Sequence, residues 1–214
     1  MKNLLFDLDG TLVDSAEGIL SSVRKALTDM NSDIPDEKKL LTFIGPPLIE
    51  SFTELFDSDR EKAEEAVRLF RKHYSAEDCL KCTPYDGITA ALNELESDGF
   101  RLFVATSKPE TFALRILEKF DMCRYFTDIA GSNAENTRSK KAEVISYLMV
   151  KHSLCYGETV MIGDKMQDLA GAAACGISGI GVSYGFGTLN ELESHPHIAI
   201  VDSPLALTAF LKQK

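Results

Sequence analysis

Apolar residues in this chain fall into two alternating patterns. Residues 4–6, 102–105, 129–130 and 160–162 are short continuous apolar runs, each followed at once by polar residues or glycine. Such runs predict strands buried on both faces. Between them, apolar positions recur every three or four residues: Ile88, Ala91, Leu92 and Leu95; Phe112, Ile116 and Phe120; Val144, Ile145, Leu148 and Met149. This spacing predicts helices over 88–96, 111–120 and 142–151. Strands alternating with helices predict an α/β fold with a doubly wound parallel sheet, and 177–182 reads as its last core strand. The glycines around that strand lead into Tyr184-Gly185-Phe186-Gly187, read as a tight loop near the strand ends and not as a dinucleotide fingerprint, which must join a strand to a helix.

Residues 15–83 carry no strand signal. Ile19, Leu20, Val23, Leu27 and Met30 predict one amphipathic helix, and Pro46-Pro47 suits the opening of another. Ser58-Asp59-Arg60-Glu61 has a capping-box pattern, continued at helical period by Ala63, Ala66, Val67, Phe70 and Tyr74. Arg68, Arg71, Lys72 and Tyr74 are read mostly as a solvated helix face. The expected organisation is an α/β core of residues 1–14 and 84–214, with an all-helical cap of residues 15–83 inserted after the first strand.

Composition narrows the functional classes. An apolar content of 44% and a charged content of 26% describe an ordinary globular chain. A formal net charge of -10 argues against a nucleic-acid partner, which would select basic patches. No apolar run reaches the roughly 20 residues of a membrane helix, and no signal-peptide pattern opens the chain, so a cytoplasmic protein is expected. Five cysteines in such a chain are expected to stay reduced. Cys79-Leu80-Lys81-Cys82 lacks the second ligand pair of a zinc site and the βαβ surroundings of a redox motif. The histidines at 195 and 197 flank Pro196 and read as exposed turn residues.

The candidate chemistry lies where the predicted strands end, which is where open α/β sheets bind ligands. The first ends in Asp7-Leu8-Asp9; in an extended chain both carboxylates would face one site while Leu8 packs inward. The second ends in Thr106-Ser107, with Pro109 suited to start a helix. Lys140 and Lys141 precede a predicted helix, and the strand at 160–162 ends in Gly163-Asp164 with Asp168 one turn later. Acid-rich oxygen clusters suit Mg²⁺, and metal and lysine together would neutralise carboxylates beside a phosphoryl group. A carboxylate nucleophile forming an aspartyl-phosphate splits one phosphoryl transfer into two steps.

In that order, Asp7-Leu8-Asp9-Gly10-Thr11, Thr106-Ser107, Lys141 and Gly163-Asp164-x-x-x-Asp168 resemble the four motifs of the haloacid dehalogenase-like hydrolase superfamily. The resemblance spans essentially the whole chain. It implies Asp7 as nucleophile and Mg²⁺ ligand. Asp9 would protonate the leaving alkoxide and then activate water, its carbonyl also touching the metal; this second Asp separates phosphatases from dehalogenases. Thr106 and Lys141 would hold phosphoryl oxygens, with Gly10 and Ser107 beside them. Asp164 would be the remaining carboxylate ligand, and Asp168 would lie in or just behind the metal shell. Lys141 fits the third motif better than Lys140, although the prolines usual after that lysine are missing.

Ile44-Gly45-Pro46-Pro47-Leu48 resembles the substrate-facing loop of phosphoglycolate phosphatase-like members, which makes Gly45 and Pro46 the substrate-selecting positions of the cap. Thr137-Arg138-Ser139-Lys140-Lys141-Ala142-Glu143 is more similar to a 5′-nucleotidase-like branch. The expected activity is thus hydrolysis of a small phosphomonoester by a monomer or homodimer. Two other readings are a phosphomutase of the β-phosphoglucomutase type and a non-enzymatic, receiver-like phosphoacceptor.

Overall fold

Asn3–Phe6 forms strand β1, and all four of its residues are buried. The computed structural model describes residues 1–133 and 138–213. Within them the chain divides into two units, Met1–Asp14 with Pro84–Lys214, and Ser15–Thr83. The two-residue strands β2 (Val13–Asp14) and β3 (Thr83–Pro84) mark where the chain leaves the first unit and returns to it.

The Ser15–Thr83 unit holds helices α1 (Ala16–Asp29), α2 (Glu37–Leu41), α3 (Leu48–Leu55) and α4 (Arg60–Ala76). Helix α1 packs on α4 through the apolar stripes seen in the sequence, with Val23, Leu27, Ala63 and Ala66 fully buried. Three local expectations change. The cap of α4 is Asp59, whose carboxylate accepts the Lys62 N–H at 3.2 Å; Ser58, at φ +73°, belongs to the preceding turn. Tyr74 is buried and stacks on Phe70 with ring centroids 5.1 Å apart, so it leaves the solvated face to its charged neighbours. The short helix α2 has too few residues to show a period. Cys79 and Cys82 are buried here without a disulfide, and the Cys82 thiol donates to Cys79 O at 3.7 Å.

Asp78 ties this unit together. Its carboxylate is buried and accepts from Ser21 at 3.0 Å, Ser22 at 2.9 Å and Lys25 at 2.7 Å, with Lys81 at 2.8 Å on its other oxygen. Burial opposes ionisation, but these donors outweigh it and hold the carboxyl well below its usual range.

In the first unit, helix α5 (Ile88–Ser97) precedes β4 (Arg101–Pro109), α6 (Glu110–Lys119), β5 (Phe126–Ser132), α7 (Lys141–Lys151), β6 (Thr159–Gly163) and α8 (Met166–Ala174). The chain then runs through β7 (Ser178–Val182), α9 (Leu189–Glu193), β8 (Ala199–Val201) and α10 (Pro204–Leu211). Six strands form one parallel sheet in the order β5-β4-β1-β6-β7-β8. Leu5, Phe103, Ala105 and Met161 form a core on one face with Val144, Ile145, Leu148 and Ala172 of α7 and α8. Strand 178–182 is therefore not the last. β8 pairs with it as far as Val182↔Val201, and α10 follows with Ser203 as its cap and Pro204 in its first turn. Three residues at a partly exposed sheet edge carry too little apolar signal to stand out. Among the described residues, no helix is long and apolar enough to cross a membrane.

The depressed Asp78 carboxyl contributes stability that is present above the ordinary carboxylate pKa and is lost as pH falls through its folded value. Asp78→Asn should lower unfolding free energy at pH 7 by ~2 kcal/mol, below the usual cost of breaking a buried pair because both lysines are partly solvated. The deficit should shrink below about pH 4. Thermal melts of both proteins across pH check this; an equal melting temperature at pH 7 would contradict it.

Candidate active site

β1 sits mid-sheet, and the Asp7 N–H continues its ladder by donating to Ile162 O at 2.9 Å. The chain then folds back on itself, with Leu8 O accepting from the N–H groups of Thr11, Leu12 and Val13. Gly10 makes the turn at φ +81°, and a Cβ there would lie 2.2 Å from Asp164 Oδ2. This position therefore needs glycine for its backbone and for the close approach of a carboxylate. Leu8 is fully buried, as its inward position predicts. The two-residue period of a strand does not carry past Phe6, however, and Asp7 and Asp9 meet different partners.

Asp7 joins Asp164 and Asp168, each offering one carboxylate oxygen within 4.8 Å of the others, all three residues buried. Lys141, the first residue of α7, enters this cluster. Its Nζ lies 2.7 Å from Asp7 Oδ1 and 2.8 Å from Asp168 Oδ1, and it donates to Ala105 O at 2.9 Å. Lys140 is exposed and is the residue at the helix cap, so the structure brings the second of the adjacent lysines to Asp7. Burial favours the neutral amine of Lys141, but the charges of Asp168 and then Asp7 reverse this and hold the ammonium above its ordinary pKa.

Asp164 follows the last residue of β6. Its Oδ2 accepts from Phe186 N at 2.8 Å and Gly187 N at 3.3 Å, and its Oδ1 accepts from Thr11 Oγ at 3.4 Å. The 184–187 loop thus reaches the site, as its sequence suggested. Burial, followed by the charges of Asp168 and Asp7, pushes the Asp164 carboxyl up to about 8. Burial also raises Asp168, with Lys141 opposing and Asp7 adding to the rise. Asp168 additionally accepts the Lys165 N–H at 3.0 Å, which closes the first turn of α8. A Cβ on Gly163 would fall 2.2 Å from the Asp168 carboxylate, so this glycine also makes room for an acid.

β4 ends at the same edge, with a register shift between Ala105 and Pro109. Thr106 is buried, and its hydroxyl accepts the Lys108 N–H at 3.2 Å; Ser107 is half-buried. Sequence reasoning missed Lys108. Its Nζ lies 2.6 Å from Asp9 Oδ2 and 2.9 Å from Oδ1, and the side chains of Lys108 and Asp9 are only 6% and 14% exposed. The available signal was a cation directly after Thr106-Ser107 at a strand's carboxyl end. Tyr184 was missed as well: its hydroxyl donates to Thr11 O at 3.1 Å, and its ring meets Tyr85 edge-on at 4.9 Å.

Gly45 and Pro46 belong to the helical unit, in the segment ahead of α3. Thr137 lies outside the described residues. Its neighbour Arg138 donates to Gly131 O at 2.7 Å, pairs with Glu110 at 2.6 Å and lies over the Tyr147 ring. These contacts tie Arg138 to the surrounding structure.

The donor set of the cluster consists entirely of oxygen, which suits a hard divalent cation. Among the described residues, three buried carboxylates face one ammonium, and no donor other than Lys141 reaches Asp7 Oδ1 or Asp168 Oδ1. A cation fits that excess of negative charge.

The family model described as haloacid dehalogenase-like hydrolase matches residues 4–182. A 5′-nucleotidase of Pseudomonas aeruginosa is 43% identical over 193 residues, which cover 90% of this chain and 87% of that protein. Tyrosine-protein kinase PtkA of Mycobacterium tuberculosis is 39% identical over 190 residues, covering 89% of this chain and 65% of the kinase. The crystal structure of a protein described as a predicted phosphatase from Clostridium acetobutylicum superposes with a TM-score of 0.94 at 40% identity, covering 100% and 99% of the two chains. Sequence and fold agree across nearly the full length, and the chain belongs to the haloacid dehalogenase-like hydrolases, as a phosphoric monoester hydrolase.

Proposed function

We propose that this chain is a Mg²⁺-dependent phosphatase that cleaves a small phosphomonoester, a 5′-nucleotide in the first place, through an aspartyl-phosphate on Asp7. The supporting observation is the placement of Asp7: its Oδ1 lies 2.7 Å from the Lys141 ammonium, beside Asp164 and Asp168. Asp7, Asp164 and the Asp9 carbonyl would hold Mg²⁺, with Asp168 in or just behind that shell. The cation supplies positive charge against the developing charge of the phosphoryl oxygens.

The remaining work falls to the chain's own groups. Lys141 orients the Asp7 carboxylate and offers charge to a phosphoryl oxygen, with Thr106, Ser107 and the Gly10 turn as further donors. An Asp7 oxygen forms a bond to phosphorus as the ester P–O bond breaks, and Asp9 as acid gives its proton to the departing alkoxide. Asp9, now a carboxylate, takes a proton from water as the water oxygen attacks phosphorus; the Asp7–phosphorus bond breaks and inorganic phosphate leaves. The helical unit would act as a cap with Gly45 and Pro46 at its substrate-selecting positions.

The nucleotide reading rests on the relative named a 5′-nucleotidase. Glycolate phosphate is the second reading, favoured by the Ile44-Gly45-Pro46-Pro47-Leu48 loop. The relative named a tyrosine-protein kinase raises transfer of the Asp7 phosphoryl group to a tyrosine hydroxyl in place of water.

A phosphate-release panel of 5′-mononucleotides, glycolate phosphate, sugar phosphates, pyrophosphate and phosphotyrosine peptide should give turnover with Mg²⁺ and none with chelator, 5′-mononucleotides ranking first. Asp7→Asn should remove turnover, by at least ~10³-fold, without loss of fold; retained activity would disprove the nucleophile. Exclusive transfer to tyrosine or to sugar phosphates would replace hydrolysis by the kinase or mutase reading.

The raised Asp164 carboxyl makes a separate, non-catalytic prediction. Its contribution is present below the ordinary carboxylate pKa and is lost as pH rises through about 8. Metal-free protein should therefore melt several degrees lower at pH 9 than at pH 6. Mg²⁺ should restore stability most at the alkaline end, because it binds the ionised cluster. A metal-free melting temperature that does not fall with pH would contradict the buried cluster.

A further inference from the structure

Asp7 and Asp9 stand two residues apart on one turn, yet each has its own lysine. Asp7 faces Lys141; both oxygens of Asp9 face Lys108, at 2.6 and 2.9 Å. Asp9 is not part of the Asp7, Asp164 and Asp168 cluster. A lysine head only 6% exposed is costly to desolvate unless a carboxylate meets it, so the pair restrains both side chains. Lys108 is in turn anchored through its backbone. Its N–H donates to Thr106 Oγ, and Pro109 follows it as the cap of α6.

We propose that Lys108 is a positioning residue that holds the Asp9 carboxylate apart from the three-carboxylate cluster, so that Asp7 and Asp9 serve different roles, one as nucleophile and the other as acid and base. Without the ammonium, Asp9 would have the same cationic attractions as Asp7: Lys141 and any cation held by the cluster. Drawn there, it would be misplaced for proton transfer to an alkoxide, while Asp7 and the phosphoryl donors stayed intact. This inference rests on the acid–base role given to Asp9 above.

The test compares an alkyl phosphomonoester, such as a 5′-mononucleotide, with para-nitrophenyl phosphate, whose leaving group needs little protonation. Lys108→Met should lower kcat/KM, which reports the steps up to the aspartyl-phosphate, by ~30-fold or more for the alkyl ester but by less than ~5-fold for the aryl ester; the later hydrolysis of that intermediate should slow equally for both. Lys108→Arg, which keeps a cation able to meet both carboxylate oxygens, should recover most of the alkyl rate. The double variant Asp9→Asn with Lys108→Met should be no slower than Asp9→Asn alone, because both changes act through one carboxylate. That variant also removes both charges together, so it reports even if Lys108→Met alone fails to fold.

Equal loss of kcat/KM on alkyl and aryl esters, or additive losses in the double variant, would overturn the proposal and leave Lys108 a structural or phosphate-binding lysine. If Asp9→Asn alone keeps full alkyl turnover, the acid–base assignment to Asp9 fails first. The two failures are therefore distinguishable.

Discussion

The site depends on one buried ammonium. Lys141 Nζ meets Asp7, Asp168 and the Ala105 carbonyl within 2.9 Å, and each partner arrives on a different element. Asp7 follows β1, Ala105 lies in β4, Asp168 is in the first turn of α8 and Lys141 opens α7. A charged group so deeply buried persists only where its counter-charges are already assembled. The parallel sheet assembles them by setting β1 between β4 and β6, so that the carboxyl ends of all three strands face one way. The glycines fall into place as a consequence. Gly163 clears space for Asp168, Gly10 clears space for Asp164, and Gly171 passes the Lys141 stem, where a Cβ would sit 2.9 Å from its Cγ.

Much of this was legible in the amino-acid order because burial on both faces leaves a plain mark. The apolar runs of β1, β4 and β6 are short and give way abruptly to Asp7, Thr106-Ser107 and Gly163-Asp164. The helices between them show their period because one stripe is buried. What failed to show was short, peripheral or dependent on a partner far away in sequence. β8 has three residues at the sheet edge. The cap of α4 moved from Ser58 to Asp59 because a turn with positive φ at Asp57 and Ser58 precedes the helix.

The separation of Asp7 from Asp9 was illegible for a different reason. Periodicity places two residues on one side only while the chain stays extended, and here the strand stops at Phe6. What then decides the direction of each carboxylate is which lysine it meets. Lys108 and Asp9 lie 99 positions apart, and Lys141 is farther along still. Local sequence carries the identity of these groups. Their pairing is a property of the assembled sheet.

That pairing also bears on why relatives of such similar sequence carry the names of a nucleotidase and a tyrosine kinase. A carboxylate that accepts a phosphoryl group commits an enzyme only to the first half of a reaction. The second half is set by the hydroxyl that reaches phosphorus next and by the group that takes its proton. On the proposed reading, the haloacid dehalogenase-like core would supply the first half through the Asp7, Lys141, Asp164 and Asp168 constellation. Fold membership cannot choose among water, a sugar hydroxyl and a tyrosine, since function resides in the site and not in the fold. The choice falls to the surroundings of the proton acceptor. On the reading proposed for this chain, those surroundings would begin with Asp9 and with Lys108, which meets both of its carboxylate oxygens.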